Sequence, residues 1–231
     1  FIPTTLLAQA DSCIGSKSSI NFGKIKNLLG SFTPPNRVII SNQFLKTLEE
    51  KDIRSGIGEI VKLYFIDNKF IDLETISKNL PQHIFNTLII KKKYIEEDEF
   101  DVNIRNILNY GHCFGHAIES ACNYSIPHGI AVAMGMDIVN RISLNLNLID
   151  EENFYKMNTI LNPIYNDYTS TSISSSVVFN SLQKDKKNTD SKINLILPIE
   201  NKINRYSFQN NSTSLKLFRD VLLQTSISFV D

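Results

Sequence analysis

"NYGHCFGHAIES", residues 109–120, places two of the chain's four histidines in an otherwise apolar run with helical spacing. If Ile104 to Cys122 forms one helix, His112 and His116 stand at i and i+4 on one face, roughly 6 Å apart at Cβ. Two imidazoles so placed either chelate a divalent ion or form a packed pair hydrogen-bonded to a neighbouring carboxylate. A third donor from another element would complete a metal site with one open coordination position. His128, which follows Pro127 at the entry to the next helical run, is the candidate for that donor. The pattern is looser than HExxH, because Cys113 stands where that motif has glutamate.

The same face extends backward through Asn109 and Arg105, at spacings of three and four, on a helix otherwise built of Ile104, Ile107, Leu108 and Phe114. A solvated stripe normally carries Lys, Glu and Gln. Arginine, asparagine and two histidines are groups that grip oxygen atoms and metals, so the stripe reads as the lining of a cavity. In "GIGEIVKLYF", residues 56–65, Glu59 and Lys62 share a helix face. Their spacing fits an ordinary surface ion pair, but the flanking Ile57, Ile60, Val61, Leu63 and Phe65 place the carboxylate beside buried surface.

Twenty-four basic against 24 acidic residues leave no net charge over 231 residues, so the balance implies neither a nucleic-acid nor a membrane partner. Cys13, Cys113 and Cys122 form no CxxC pair and fit reduced thiols in the cytoplasm. No apolar stretch approaches the roughly 20 residues that cross a bilayer. "RVIIS", residues 37–41, reads as a single buried strand after the "TPPN" turn, with its partner strands expected outside this sequence or in another chain. From about Asn42 the spacing is helical, and "GIAVAMGMDIVNRISLNLNLI" (129–149), with small residues on several faces, reads as a helix inside a bundle. "YTSTSISSS" (168–176) reads as a loop entering a helix capped by one of its hydroxyls, and "INLILPI" (193–199) as a strand or hairpin arm. The lysine-rich patches "GSKSSINFGKIKNLLG" (15–30) and "KDKKN" (184–188) suit a phosphate or carboxylate or are simply solvated; the first is neither a P-loop nor GxGxxG.

In order along the chain, "PTTLLAQADSCIGSKSSIN", "GKIKNLLGSF", "GIGEIVKLYFID", "EEDEFDVNIRNILNYGHCFGHAIE", "PHGIAVAMGM" and "KDKKNTDSKINLILP" resemble the successive signatures of the 3-dehydroquinate synthase family, within the sugar phosphate cyclases. The long element RxxxNxGHxFGHAIE followed by HG is the most specific. The resemblance implies a two-domain enzyme in which an α/β domain binds NAD and an all-α domain carries the metal. Residues 1–45 would be a remnant of the first domain and 46–231 the second, giving a mostly helical chain. It implies a metal, zinc or alternatively cobalt, on Glu59, His112 and His128, with His116 turned to substrate. It assigns catalytic roles to Lys62, Arg105, Asn109 and His116, substrate contacts to Lys17, Lys26, Asn27, Lys91 and Lys186 or Lys187, and the nicotinamide side to Thr4, Thr5 and Asp11.

The implied substrate is the seven-carbon sugar acid phosphate DAHP, whose two anionic groups account for the many cations expected at the site. The implied reaction oxidises one carbon transiently with NAD, eliminates phosphate, reduces the ketone again and closes the ring by aldol addition to 3-dehydroquinate, in the shikimate pathway. A homodimer is implied as well. This sequence departs from the family pattern where "GGKTG" becomes Gly15, Ser16, Lys17, Ser18, Ser19, where Asp101 replaces Glu, and where Ile130 replaces the Glu of "HGE". The opening "FIPTTLLAQADS" lacks an initiator methionine and a lead-in, and no Gly-rich pyrophosphate turn occurs. The expectation is therefore a piece of a longer protein, inactive and without NAD affinity by itself. The alternatives are another cyclase such as 2-deoxy-scyllo-inosose synthase, or a non-catalytic folded module. Leu63, four residues after Glu59, argues against the iron-type alcohol dehydrogenases, which carry a histidine at that spacing.

Overall fold

The structure, a computed structural model, describes residues 1–22, 25–183, 188 and 191–230, with backbone only at 21, 22 and 25–28. A π-helical turn (Ala8–Ser12) leads into the antiparallel hairpin β1 (Lys17–Phe22) and β2 (Ile25–Phe32). After an extended stretch and a 3-10 turn (Asn42–Thr47) come α1 (Glu50–Ile66), α2 (Leu73–Lys78) and α3 (Leu80–Glu97). A second 3-10 turn (Ile104–Asn109) precedes α4 (His112–Ala121), α5 (His128–Asn145) and α6 (Glu151–Tyr165). The chain closes with β3 (Ile173–Ser174), α7 (Ser175–Gln183), the hairpin β4 (Lys192–Ile199) and β5 (Lys202–Gln209), α8 (Ser212–Gln224) and β6 (Phe229–Val230).

Two helices form the centre. Every residue of α1 from Ser55 to Ile66 is buried, as are 14 of the 18 residues of α5. α5 packs against α1, α4, α6, α8 and β4, which is why its sequence is apolar or small on every face rather than striped. Aliphatic side chains such as Ile130, Val132 and Ile138 are wholly enclosed, each contributing about 1.5–3 kcal/mol.

The surrounding helices begin at ordinary caps. Asp72, Asp150 and Asn211 accept from the backbone N–H groups of Thr75, Asn153 and Ser214 at 2.8, 2.8 and 3.0 Å. The Ser/Thr tract does the same more weakly: Ser174 Oγ accepts from Val177 N at 3.4 Å and opens α7. β4 is buried along nearly its whole length against α5, while β5 is mostly exposed, with Ile203 and Phe208 buried, as an outer strand is. No helix among the described residues is long and apolar enough to cross a membrane.

The structure differs from the sequence reading in three places. Residues 37–41 form no strand: Ile39 N donates to Phe1 O at 3.0 Å, the N-terminal amine donates to Arg37 O at 2.8 Å, and Ile39 and Ile40 stay exposed. A β-branched run becomes a strand only with a partner ladder, and the two bonds to Phe1 do not extend into one. The lysine-rich patch at 15–30, for which no strand is expected, carries the β1–β2 hairpin. Ile104 to Cys122 is not one helix. The 3-10 turn ends at Asn109, Gly111 takes φ +75°, and α4 starts afresh at His112. The left-handed conformation suits glycine and breaks the stripe, so Arg105 and Asn109 do not continue the His112–His116 face.

Where α1 crosses α5 the backbones touch. A Cβ added to Gly129 would lie 1.8 Å from Ser55 O, and one added to Gly58 would lie 2.2 Å from Gly129 O. Gly129 N donates to Ser55 Oγ at 2.9 Å, satisfying one exposed amide of the first turn of α5. Gly129→Ala must therefore push two buried helices apart. The expected loss is about 3 kcal/mol, or a fall in melting temperature of about 10 °C by circular dichroism; an unchanged melting temperature would refute the crossing.

Candidate metal and substrate site

The α1–α5 crossing sets Glu59, one residue past Gly58, against His128, one residue before Gly129. Glu59 Oε1 lies 3.3 Å from His128 Nε2 and 3.8 Å from His112 Nε2, and the carboxylate is fully buried. α4 delivers His112 in its first residue and His116 one turn later, with ring centroids 5.2 Å apart. His116 stacks on His128 at 5.6 Å, and one ligating atom from each of the three histidines lies within 4.8 Å of the others.

The remaining nitrogen of each ligand candidate is occupied. His112 Nδ1 is 3.1 Å from the carbonyl of Tyr110 and His128 Nδ1 is 3.2 Å from Glu119 Oε1. These contacts leave Nε2 of both rings facing Glu59. Glu59 Oε1 itself is buried and accepts no hydrogen bond of good geometry. Two imidazoles and an orphaned carboxylate oxygen suit a divalent cation of the zinc type, with a position left open.

Cations and carboxylates alternate beside this centre. Lys62 Nζ lies 2.5 Å from Glu59 Oε2 and 3.8 Å from Asp11 Oδ2, and Lys91 Nζ lies 2.9 Å from Asp11 Oδ1. Lys91 also donates to the Asp11 carbonyl at 2.7 Å. Burial opposes charge on Lys62, but the two carboxylates outweigh it and raise its pKa, so the ammonium is kept. Burial likewise opposes ionisation of Glu59, but Lys62 and His128 hold it well below the usual carboxylate range. His112 is driven well below 6.5 by burial and then by Lys62, and stays neutral. Burial disfavours charge on His128, yet Glu119 and Glu59 lift it to about 9.

Two family models match residues 1–188: 3-dehydroquinate synthase N-terminal over residues 1–55 and 3-dehydroquinate synthase C-terminal over residues 56–188. The chain belongs to the 3-dehydroquinate synthase family. A 3-dehydroquinate synthase of Streptococcus equi subsp. equi (strain 4047) is 35% identical over 207 residues, covering 85% of this chain and 58% of the relative. One from Thermoanaerobacter sp. (strain X514) is 37% identical over 210 residues, covering 85% and 58%. The chain thus spans under two thirds of the length of these relatives. Among solved structures, 2-deoxy-scyllo-inosose synthase complexed with carbaglucose-6-phosphate, NAD+ and Co2+ matches with a TM-score of 0.80 at 27% identity, over 95% of this chain and 66% of that one. A 2-epi-5-epi-valiolone synthase from Streptomyces hygroscopicus subsp. jinggangensis 5008, with NAD+ and Zn2+ bound, shares the fold at a TM-score of 0.75 and 22% identity, over 96% and 64%.

Of the residues singled out for this 3-dehydroquinate synthase family member, Glu59, Lys62, Lys91, Asp11, His112, His116 and His128 come together. Asp11, expected on the nicotinamide side, lies between the two lysines. Arg105 is buried and spends its guanidinium on the carbonyls of Glu99 and Gly15, the latter at 2.6 Å. Asn109 Nδ2 donates to Asn106 O at 2.9 Å within its own turn. Lys17, half-exposed at the start of β1, pairs with Asp101. Thr4 and Thr5 are exposed near the N-terminus, Thr5 Oγ1 accepting from Ala8 N at 3.2 Å. The side chains of Lys26 and Asn27, on β2, and all of Lys186 and Lys187 lie outside the described residues.

Two participants escaped the sequence reading. Glu119 sits at i+7 from His112 and i+3 from His116, so helical periodicity alone places it on their face. Asp98 accepts from the N–H groups of Val102, Asn103 and Arg105 at 3.0, 2.7 and 3.1 Å, shaping the turn that carries Arg105. Lys62→Ala would strand the buried carboxylates of Glu59 and Asp11 without their shared cation. It is expected to cost about 3–5 kcal/mol in a denaturant titration. The double variant Glu59→Gln with Lys62→Met should lose clearly less, and equal losses would contradict the buried pairing.

Proposed function

We propose that this chain forms the metal- and substrate-binding part of a 3-dehydroquinate synthase, a phosphate-eliminating lyase that converts DAHP to 3-dehydroquinate in the shikimate route to aromatic amino acids. The observation that carries the reading is the convergence of Glu59 Oε1, His112 Nε2 and His128 Nε2, with His116 and Lys62 beside them. These three atoms would hold zinc or cobalt, which when bound supplies Lewis-acid polarisation of the hydroxyl to be oxidised.

The chain's own groups do the rest. Lys62, kept cationic by Glu59 and Asp11, offers a fixed positive charge to a substrate oxyanion. Lys91, anchored on Asp11, adds a second. Neutral His112 keeps its lone pair for the cation, because its other nitrogen is held by Tyr110 O. His116 faces the substrate side and is placed to exchange a proton with the departing phosphate. Arg105, Asn109 and Lys17, now tied to neighbouring protein groups, are assigned to substrate contacts together with Lys26, Asn27 and Lys186 or Lys187.

For NAD the fit is partial. Thr4 and Thr5 offer exposed hydroxyls and Asp11 a carboxylate already paired with Lys62 and Lys91, and no Gly-rich turn after a strand occurs in the sequence. The reading therefore gives dinucleotide binding to a longer protein, with residues 1–45 its continuation and 46–231 the helical domain, and holds that homodimer in the cytoplasm. The alternative of a second cyclase substrate has behind it only the shared fold of 2-deoxy-scyllo-inosose synthase, at a TM-score of 0.80 and 27% identity.

Calorimetric titration of NAD into the 231-residue chain should show no binding, and micromolar affinity would overturn that part. Joined to the preceding segment of the Streptococcus equi relative, the chain should release phosphate from DAHP with NAD and zinc. Release only from a hexose phosphate lacking a carboxylate would select the second substrate. His116→Ala should keep stoichiometric zinc and cut turnover at least about 100-fold. Glu59→Ala should lose the metal during chelator-free purification, and retained zinc would refute the ligand set.

A further inference from the structure

Glu119 has no role in the reading above, yet it is among the most constrained side chains near the site. It is 5% exposed in the last turn of α4, where a carboxylate opposes the helix dipole and gains nothing from it. Its Oε1 lies 3.2 Å from His128 Nδ1. A buried carboxylate at the unfavourable end of a helix, set against one nitrogen of a ring whose other nitrogen faces Glu59, has the geometry of a group that fixes that ring.

We infer that Glu119 is a positioning residue for the metal centre: it fixes the orientation and tautomer of His128 through Nδ1 so that Nε2 presents its lone pair to a bound divalent cation. The need follows from where His128 sits. It is the first residue of α5 after Pro127, with Gly129 locked to Ser55, so its backbone is set while its ring can still turn about two side-chain bonds. His112 has a backbone carbonyl, Tyr110 O, doing this work inside its own turn. No backbone acceptor meets His128 Nδ1 among the described interactions, and α4 supplies one from a side chain. His116 and Glu119 lie three residues apart, so one helix face carries the substrate-side histidine and the group that aims the third ligand.

This inference rests on Glu59, His112 and His128 being the ligands, and the test separates the two. Zinc affinity of the full 231-residue chain is measured by competition with a chromophoric chelator, alongside the visible ligand-field spectrum of the cobalt-loaded chain. Glu119→Gln keeps an oxygen acceptor for Nδ1–H, whereas Glu119→Met has similar length and burial with no such acceptor. Glu119→Met should weaken zinc binding 10- to 100-fold and shift the cobalt bands, and Glu119→Gln should recover most of the affinity and the parent spectrum. Equal affinity in Gln and Met variants, whether at the parent level or equally weakened, would overturn the positioning role. Failure of the unaltered chain to bind zinc would instead overturn the ligand set itself.

Discussion

The contact on which this structure depends is the approach of two backbones, Gly58 in α1 and Gly129 in α5, with Ser55 closing the gap. No side chain fits between them, so the two central helices cross closer than ordinary side-chain packing would allow. Because Glu59 and His128 are the immediate neighbours of these glycines, main chain sets where the two residues start, and Lys62 and Glu119 then hold the carboxylate and the imidazole. A site built this way is stiff before anything binds to it.

That stiffness has an electrostatic counterpart. Glu59 has no exposure to water, which would be costly for an isolated charge. The charge persists because Lys62 stands three residues on along the same helix and Asp11 balances Lys62 in turn, with Lys91 beyond. The chain carries zero net charge, and the organisation appears only locally, as alternating acids and bases along a buried line. The same line leaves one oxygen of Glu59 unsatisfied and pointed at two histidines.

Much of the fold was legible in the sequence because burial leaves a periodic trace. The all-round apolar run after His128 became the central helix, the i, i+4 spacing of His112 and His116 put both rings on one face, and the Ser/Thr tract did cap a helix. The stripe from Arg105 to His116 was misread because periodicity assumes an unbroken helix, and Gly111 at φ +75° resets the phase by one turn boundary. Residues 37–41 were misread because strand propensity describes a side chain's fit to a sheet and says nothing about whether a partner strand is at hand.

The sequence by itself determined the residue types and the local faces: two histidines one turn apart, a glutamate beside buried surface, a third histidine at a helix start, and a motif string specific enough to name the family. Only the tertiary structure decided which oxygen meets which nitrogen. It set Glu59 between His112 and His128, placed Asp11 between two lysines, tied Arg105 to the Gly15 loop, and brought Glu119 to His128. The reason is geometric. Spacing along a chain fixes neighbours on one helix, but a contact between helices depends on their crossing point, and here that is set by glycines whose lack of a side chain shows its effect only when a second backbone lies against them.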